Sequence, residues 1–370
     1  METDYVILAI FHLTLLCRVT ERNPHHDQSH KRRMKCPIIA LFNAQGGVYK
    51  TTLVHHLAWM YNDLGVRIVA ADLDPQANLS SAFLPEERLE ELWQTNTHAD
   101  TIFAAVQPLM EGTGDVGVPH LEILDDRIAL LVGDLSLSTF EDELSNSWLD
   151  CLGRKPRAFR VMSAFWRVMQ KAATAHQADV ILVDLGPNLG AINRAALIAA
   201  DYIVVPLSPD IFSLQGLRNL GPTLRDWRGA WQERLAKRPT DVDLPLPTGQ
   251  MEPAGYIVSQ HSVRLDRPVK AYDRWIARIP STYQDYVLGQ PTVTSPSIAE
   301  DPHKLALLKS YRSLMPLAQE ASKPMFHLKP ADGAIGSHLR VALSAGRDFK
   351  LLAQVIAERT NVTVPVPSYA

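Results

Sequence analysis

The chain has 370 residues, of which 46% are apolar, with a formal net charge of −3 and three cysteines. That length suits one large α/β domain with additions, or two domains, and the apolar share is ordinary for a globular protein. The charge excludes a globally basic nucleic-acid binder, so any such contact needs a local patch. Cys17, Cys36 and Cys151 lack metal-ligand spacing and fit a reducing cytoplasm.

Residues 1–33 differ from the rest: an apolar run from Tyr5 to Cys17, broken by His12 and Thr14, precedes a polar stretch from Arg18 to Arg33. The run is shorter than the ~20 residues a membrane helix requires, and it lacks the basic flank and small-residue cleavage site of a signal peptide. It reads as an extension ahead of the body, with a membrane or partner anchor as the alternative.

Ile38 to Phe42 is an apolar run with the character of a buried parallel strand. Asn43 to Val48 supplies a turn with Gly46 and Gly47, and Lys50, Thr51 and Thr52 open a helix that runs through Leu53, Leu57, Ala58 and Tyr61 and stops at Gly65. Strand, glycine turn and helix start make a phosphate cradle: backbone N–H groups converge where no Cβ intrudes, and the helix N-terminus adds unpaired donors. Lys50 is placed for β/γ-phosphate oxygens and Thr51 for Mg²⁺. A second strand, Val66 to Ala71, runs into Asp72-Leu-Asp-Pro-Gln. Asp72 and Asp74 alternate and so share one face. A carboxylate pair there suits ligand chemistry at the strand's carboxyl end; a solvated turn or N-cap is the other reading.

Glu86 to Trp93 reads as a charged helix, Gly112 to Pro119 as a loop, and Ile128 to Val132 as a strand ending in the turn Gly133-Asp134. Leu137 to Leu144 has helical spacing, and Asn146 to Arg160 reads as a polar loop leading into a helix that ends near His176. Asp179 to Asp184, DVILVD, is a buried strand of Walker B form that delivers a carboxylate to the phosphate end of the sheet. Asp184 there would hold Mg²⁺ through water, because that ion keeps much of its shell.

A small-residue helix, Asn193 to Ala200, precedes the strand Asp201 to Leu207. Leu217 to Arg238 reads as a helix bearing Arg218, Arg225, Arg228, Arg234, Lys237 and Arg238, and a second basic cluster holds Arg264, Arg267, Lys270, Arg274 and Arg278. Such runs are either solvated faces or phosphate contacts. Pro239 to Pro253 is a loop, Ala254 to Ser259 a strand, and Ile298 to Ala318 the closing helices. Phe349, Leu351, Leu352, Val355 and Ile356 form an amphipathic helix with few positive charges, suited to packing on the body or a partner rather than on a membrane.

Aligned on Lys50, the usual G-x-x-x-x-G-K-[ST] pattern would need glycines at Ala44 and Tyr49. The Gly-Gly-x-x-Lys-Thr actually present resembles the deviant P-loop of the ParA/MinD family of ATPases. The likeness covers residues 36–318. Asp72-x-Asp74-Pro-Gln resembles the family's switch I. Gly186-Pro187 resembles its switch II, with Asn188 for the usual second proline, and residues 193–220 follow its strand-to-helix passage almost continuously.

The resemblance implies an α/β fold with a doubly wound, mainly parallel sheet and helices on both faces, and ATP with Mg²⁺ as cofactors. It implies nucleotide contacts at Gln45, Gly46, Gly47, Val48, Tyr49, Lys50, Thr51 and Thr52, and at Pro280 near the adenine. Lys50 and Asp74 take the catalytic places, Asp74 by orienting the attacking water. Thr51, Asp184 and Asp72 surround the Mg²⁺. It further implies a homodimer formed on ATP binding, non-specific DNA binding through basic helices, and a ParB-like partner that stimulates hydrolysis. The location implied is cytoplasmic or on the nucleoid, without a membrane. The expected division is an extension (1–33), an ATPase domain (34–318) and a C-terminal helical extension (319–370).

Gln45 is the consequential departure, because the family carries there a lysine that reaches across the dimer to the partner's phosphates. Glutamine can donate a hydrogen bond but brings no charge to phosphoryl transfer. Two functions follow as expectations: a ParA-type ATPase that partitions or positions plasmid, chromosome or other cargo, or a nucleotide-binding switch with weak or no hydrolysis. Tyr49 adds bulk where relatives often have glycine or serine.

Overall fold

Short aliphatic runs bounded by turns build the centre of this computed structural model, which describes residues 35–94, 98–240, 243–259, 269–294, 296–309, 311 and 314–365. The strands are β1 (Ile38–Leu41), β2 (Ile68–Asp72), β3 (Glu122–Asp125), β4 (Ile128–Leu131), β5 (Val180–Asp184), β6 (Tyr202–Leu207), β7 (Glu252–Ser259) and β8 (Lys304–Leu308). The helices are α1 (Lys50–Asp63), α2 (Asn78–Phe83), α3 (Glu86–Gln94), α4 (Ile102–Glu111), α5 (Phe140–Asp150), α6 (Pro156–Met162), α7 (Ala164–His176), α8 (Ala191–Ala199), α9 (Ile211–Ala236), α10 (Val269–Ile276), α11 (Ile279–Thr282), α12 (Leu314–Glu320) and α13 (Ser337–Thr360).

The strands form one eight-stranded sheet in the order β3-β4-β2-β5-β1-β6-β7-β8. Every neighbouring pair is parallel except the edge pair β3–β4. The expected doubly wound, mainly parallel sheet is therefore present. The chain winds outward in both directions from β1, which brings the loops after β1, β2 and β5 together at one edge, where open α/β sheets bind ligands. Alternate residues of β1 feed opposite faces: Ile38, Ala40 and Phe42 enter one core cluster, Ile39 and Leu41 the other. The first cluster is closed by residues of α4 to α11, the second by α1 to α3, α12 and α13.

Three elements differ from the sequence expectation. Asn146 to Arg160 is mostly helical, because α5 continues to Asp150 and α6 starts at Pro156. Leu144, Trp148 and Cys151 are all buried at i, i+4, i+7 spacing, and proline suits the first helical turn. Within Ile298 to Ala318, the run Lys304–Leu308 is an edge strand paired with β7, and among the described residues of that stretch the α-helix is Leu314–Glu320. An apolar run of that length cannot be told from a buried helix by periodicity alone. The antiparallel β3 has no counterpart in the expected elements; its burial alternates between half-buried and exposed, as a sheet edge allows.

α13 belongs to the same core as the P-loop helix. Phe349, Leu352, Ala353 and Ile356 are buried in a cluster with Leu53, Leu57 and Tyr61 of α1, while Leu351 faces solvent. The helix expected at Phe349–Ile356 is thus one part of a longer helix packed on the body. The apolar run at Tyr5–Cys17 lies outside the described residues. Among the described residues no helix is long and apolar enough to cross a membrane.

Candidate functional site

The turn after β1 is shaped by two left-handed residues, Gly47 at φ +75° and Tyr49 at φ +61°. The first is open to glycine at no steric cost; the second places a tyrosine as the N-cap of α1. The first intrahelical bond runs from Leu53 N–H to Tyr49 O at 2.9 Å, leaving the N–H groups of Lys50, Thr51 and Thr52 without a helical acceptor. A Cβ built on Gly46 or Gly47 would meet no protein atom within 4 Å, so the space before the turn is open. Lys50 curls back over the turn, its Nζ donating to Asn43 O and Gln45 O at 3.1 Å each. Burial lowers its pKa, with Asp184 and Asp74 pulling the other way.

Asn43 fixes the turn to its neighbours. Its Nδ2 donates to Pro206 O at 2.8 Å and its Oδ1 accepts from Gln45 N–H at 3.0 Å. Gly216 of α9 comes so close that a Cβ there would lie 3.0 Å from Asn43 Oδ1. The Gln45 side chain does not reach outward: its Oε1 accepts from the hydroxyl of fully buried Ser213 at 2.8 Å. That hydroxyl accepts in turn from Ser208 N–H at 2.9 Å.

Three carboxylates converge from β2 and β5. Asp72 and Asp184 are register partners, and both are fully buried. Thr51 Oγ1 donates to Asp184 Oδ2 at 2.5 Å, whereas Asp184 Oδ1 is buried with no hydrogen-bond partner among the described residues. Burial raises the Asp184 pKa and the neighbouring Asp72 raises it further. Asp72 is committed to the protein: its Oδ2 accepts from both the N–H and the hydroxyl of Ser80 at 2.8 Å, and its Oδ1 from Asp74 N–H at 3.3 Å. Burial nevertheless raises its pKa. Ser80 Oγ also accepts from Gly133 N–H at 2.8 Å, tying the end of β4 to Asp72. Asp74 turns the chain by accepting from Gln76 N–H at 3.0 Å. It faces Gly186, where a Cβ would lie 3.1 Å from its Oδ1.

The structure therefore brings Gln45 to Thr52, Asp72, Asp74 and Asp184 to one edge of the sheet. Pro280 is buried at the start of α11, a segment packed against α9. The cavity bordering the P-loop is lined by Tyr49, Thr52, Ser259, Lys309, Tyr311 and Phe349 among others, beside the carboxyl ends of β7 and β8. Asn43, Ser80, Gly133 and Ser213 position the site without having been singled out in the sequence. Asn43 and Gly133 each sit in a turn directly after an apolar strand, a local signal; Ser80 and Ser213 carry none.

The donor set fits Mg²⁺ with nucleotide. An orphaned buried carboxylate oxygen lies beside a threonine hydroxyl, under an open turn of N–H groups. Among the described residues no cluster of three or more His, Cys, Asp or Glu could hold a metal by itself. One or two protein ligands plus phosphates is the usual protein share for Mg²⁺.

A family model described as an AAA domain matches residues 36–237, more than half of the chain. The chain belongs to the ParA/MinD-type P-loop ATPases. Protein IncC of Escherichia coli is 28% identical over 224 residues, 60% of this chain and 54% of IncC. The chromosome partitioning protein ParA of Caulobacter vibrioides is 26% identical over 198 residues, 54% of this chain and 66% of that protein. The chain thus spans between half and two-thirds of the length of these relatives. A putative plasmid partition protein from Borrelia burgdorferi bound to AMPPNP shares the fold, at 15% identity and a TM-score of 0.53, covering 88% of this chain and 100% of that one.

In this ParA/MinD-type chain the basic residues of α9 divide by use. Arg234 is buried, donating to Trp148 O at 2.8 Å with its guanidinium 3.6 Å from the Trp148 ring centroid. Arg228 donates to Gln250 O and Met251 O at 2.7 Å each, and Arg225 to the carbonyls of Tyr286 and Val287. These arginines fasten loops. Arg274 and Arg278 are exposed and flank the Trp275 ring at 5.3 and 5.5 Å. Arg264, Arg267 and the Lys270 side chain lie outside the described residues.

Proposed function

We propose that the chain binds MgATP on the turn Gln45–Thr52 and works as a nucleotide-dependent switch of the partition or positioning kind. The observation that carries this reading is the orphaned Oδ1 of Asp184 beside Thr51 Oγ1, beneath the open glycine turn and Lys50. The N–H groups of the turn and of the first turn of α1 take the phosphates, and Lys50 exchanges its two carbonyl acceptors for phosphate oxygens. Thr51 and Asp184 would hold Mg²⁺, which supplies charge neutralisation at the phosphates. Asp74 orients the attacking water from its place opposite Gly186. The cavity beside Tyr49 and Thr52 takes the base. The likeness to a partition protein bound to AMPPNP supports the nucleotide, and the names of the sequence relatives support partition or positioning of cargo.

ATP would bring two copies together through this edge. Leu189, in the loop after β5, and Ile211 and Phe212, at the start of α9, are 37%, 52% and 70% exposed, and the adjoining Ser213 touches Gln45. Arg274, Trp275 and Arg278 offer the dimer a basic, aromatic patch for non-specific DNA, and a ParB-like partner would stimulate turnover.

A second reading, binding with little hydrolysis, is favoured by the hydrogen bond from Ser213 to Gln45 Oε1. It gives the position an intrachain role and leaves no cation there to meet charge in transfer. The test of both is MgATP binding, turnover and sedimentation of the full chain, with and without duplex DNA. Binding with DNA-stimulated turnover supports the ATPase cycle. Binding without turnover supports the switch, and no binding contradicts both.

A further inference from the structure

His56 stands one helical turn after Thr52 and is 2% exposed. Its Nδ1 lies 2.8 Å from Thr52 O, and its Nε2 lies 3.1 Å from Met325 N. The Met325 N–H can only donate, so Nε2 carries a lone pair. The single ring proton is therefore on Nδ1 and is donated to Thr52 O. Burial lowers the His56 pKa to about 4, which keeps this neutral form throughout the physiological range. The ring stacks on Phe349 at 5.0 Å and 26°, and meets Phe326 edge-on at 5.9 Å. Every one of these partners beyond Thr52 comes from the segment Met325–Thr360.

The same segment is fastened to α1 further along. Tyr61 Oη donates to Ala353 O at 3.0 Å, and His327 Nε2 lies 2.8 Å from Asp63 Oδ2. Met325 and Phe349 also line the cavity that Tyr49 and Thr52 border. The segment thus touches the candidate nucleotide site twice: directly through the cavity wall, and through His56 to Thr52 in the first turn of α1.

We propose that His56 is a positioning residue that couples seating of Met325–Thr360 to nucleotide binding. This inference rests on the nucleotide reading. With the segment seated, the relay from Met325 N–H through the ring to Thr52 O holds the first turn of α1 and closes the base cavity. Coupling is reciprocal, so nucleotide must also tighten the segment.

The experiment uses the full chain. MgATP affinity is measured first. Hydrogen exchange of residues 325–360 is then followed with and without MgATP, together with ¹⁵N shifts of the His56 ring. The wild-type chain should show a proton on Nδ1 and none on Nε2, ring shifts that move on MgATP addition, and exchange in 325–360 slowed several-fold by MgATP. His56→Phe keeps the ring and loses both hydrogen bonds; it should bind MgATP about tenfold more weakly and lose the nucleotide effect on exchange, a cost in the range of a hydrogen bond or two. Tyr61→Phe loosens the same segment away from the cavity, and should weaken MgATP binding in the same sense even if His56→Phe does not fold. MgATP binding with exchange in 325–360 unchanged, or full affinity in a folded variant, overturns the coupling and leaves the nucleotide reading intact. No MgATP binding by the wild-type chain overturns both.

Discussion

Replacing Gln45 by lysine should lower stability and raise turnover together. In the folded chain the Ser213 hydroxyl is fully buried and gives its proton to Gln45 Oε1 at 2.8 Å. Lysine has no acceptor, so that buried proton loses its partner, at a cost of about 1–3 kcal/mol. A loss of that size lowers the melting midpoint by about 2–4 °C per kcal/mol in a domain of 150–250 residues, and by less in a longer chain. Against this, an ammonium at the glycine turn faces charge that develops on the phosphate. Single preorganised donors in other enzymes contribute about 10²–10³ in rate, and a supplied arginine about 10³–10⁵. Turnover by Gln45→Lys should therefore exceed wild type by about 10² or more. Phosphate release at saturating MgATP measures it, with binding and thermal melts recorded alongside. If the variant is folded, binds MgATP and turns over no faster than wild type, the reasoning about this position is wrong.

The buried carboxylates predict a pH profile. Burial raises the pKa of both Asp72 and Asp184, so the folded chain holds protons that the unfolded chain releases near pH 4. Their contribution is fully present below that pH and is lost as pH rises through the raised values, so nucleotide-free protein should melt lower from about pH 5 to pH 8. Asp184→Asn should flatten that fall and abolish Mg²⁺-dependent nucleotide binding; a melting midpoint that climbs across the window contradicts the assignment. Gly133→Ala should destabilise by about 1–3 kcal/mol in denaturant melts, since its Cβ would lie 2.8 Å from the Asp72 carboxyl group; unchanged stability would show that Asp72 has room to move. Arg274→Ala with Arg278→Ala should weaken DNA binding and reduce its salt dependence at unchanged stability. Arg234→Ala should instead lower stability through the lost Trp148 contacts. Fluorescence titrations over a salt series separate the two, and equal effects would dismiss the patch.

Much of the site was legible because phosphate cradles are local. Gly46, Gly47, Lys50 and Thr51 are contiguous, and Asp184 ends an apolar run, so each motif is complete within a few residues. The order of these motifs then supported the fold. What local patterns do not carry is who meets whom. Asp72 looked like a metal ligand, yet a serine eight residues on takes one of its oxygens twice. Gln45 looked like an outward-facing substitute for a lysine, yet Ser213, 168 positions away, holds it inward. The run Lys304–Leu308 suits helix and strand alike, because short apolar runs serve both structures, and pairing with β7 decides between them. Arginines on α9 counted as a basic face until Trp148, Gln250 and Tyr286 supplied partners from distant loops. Trp148 itself fell in a stretch whose charges masked its helical spacing.

Calorimetric titration of MgATP into the full chain and into Lys50→Ala tests the central claim most directly. Lys50 is the one side-chain cation wrapped over the turn among the described residues, with Nζ 3.1 Å from Asn43 O and Gln45 O. Saturable binding by the wild-type chain, weakened about tenfold to a hundredfold in the variant, is the expected result for loss of a charge-assisted phosphate contact. Equal binding by both chains, with both folded, would contradict the assignment of this turn as the nucleotide site.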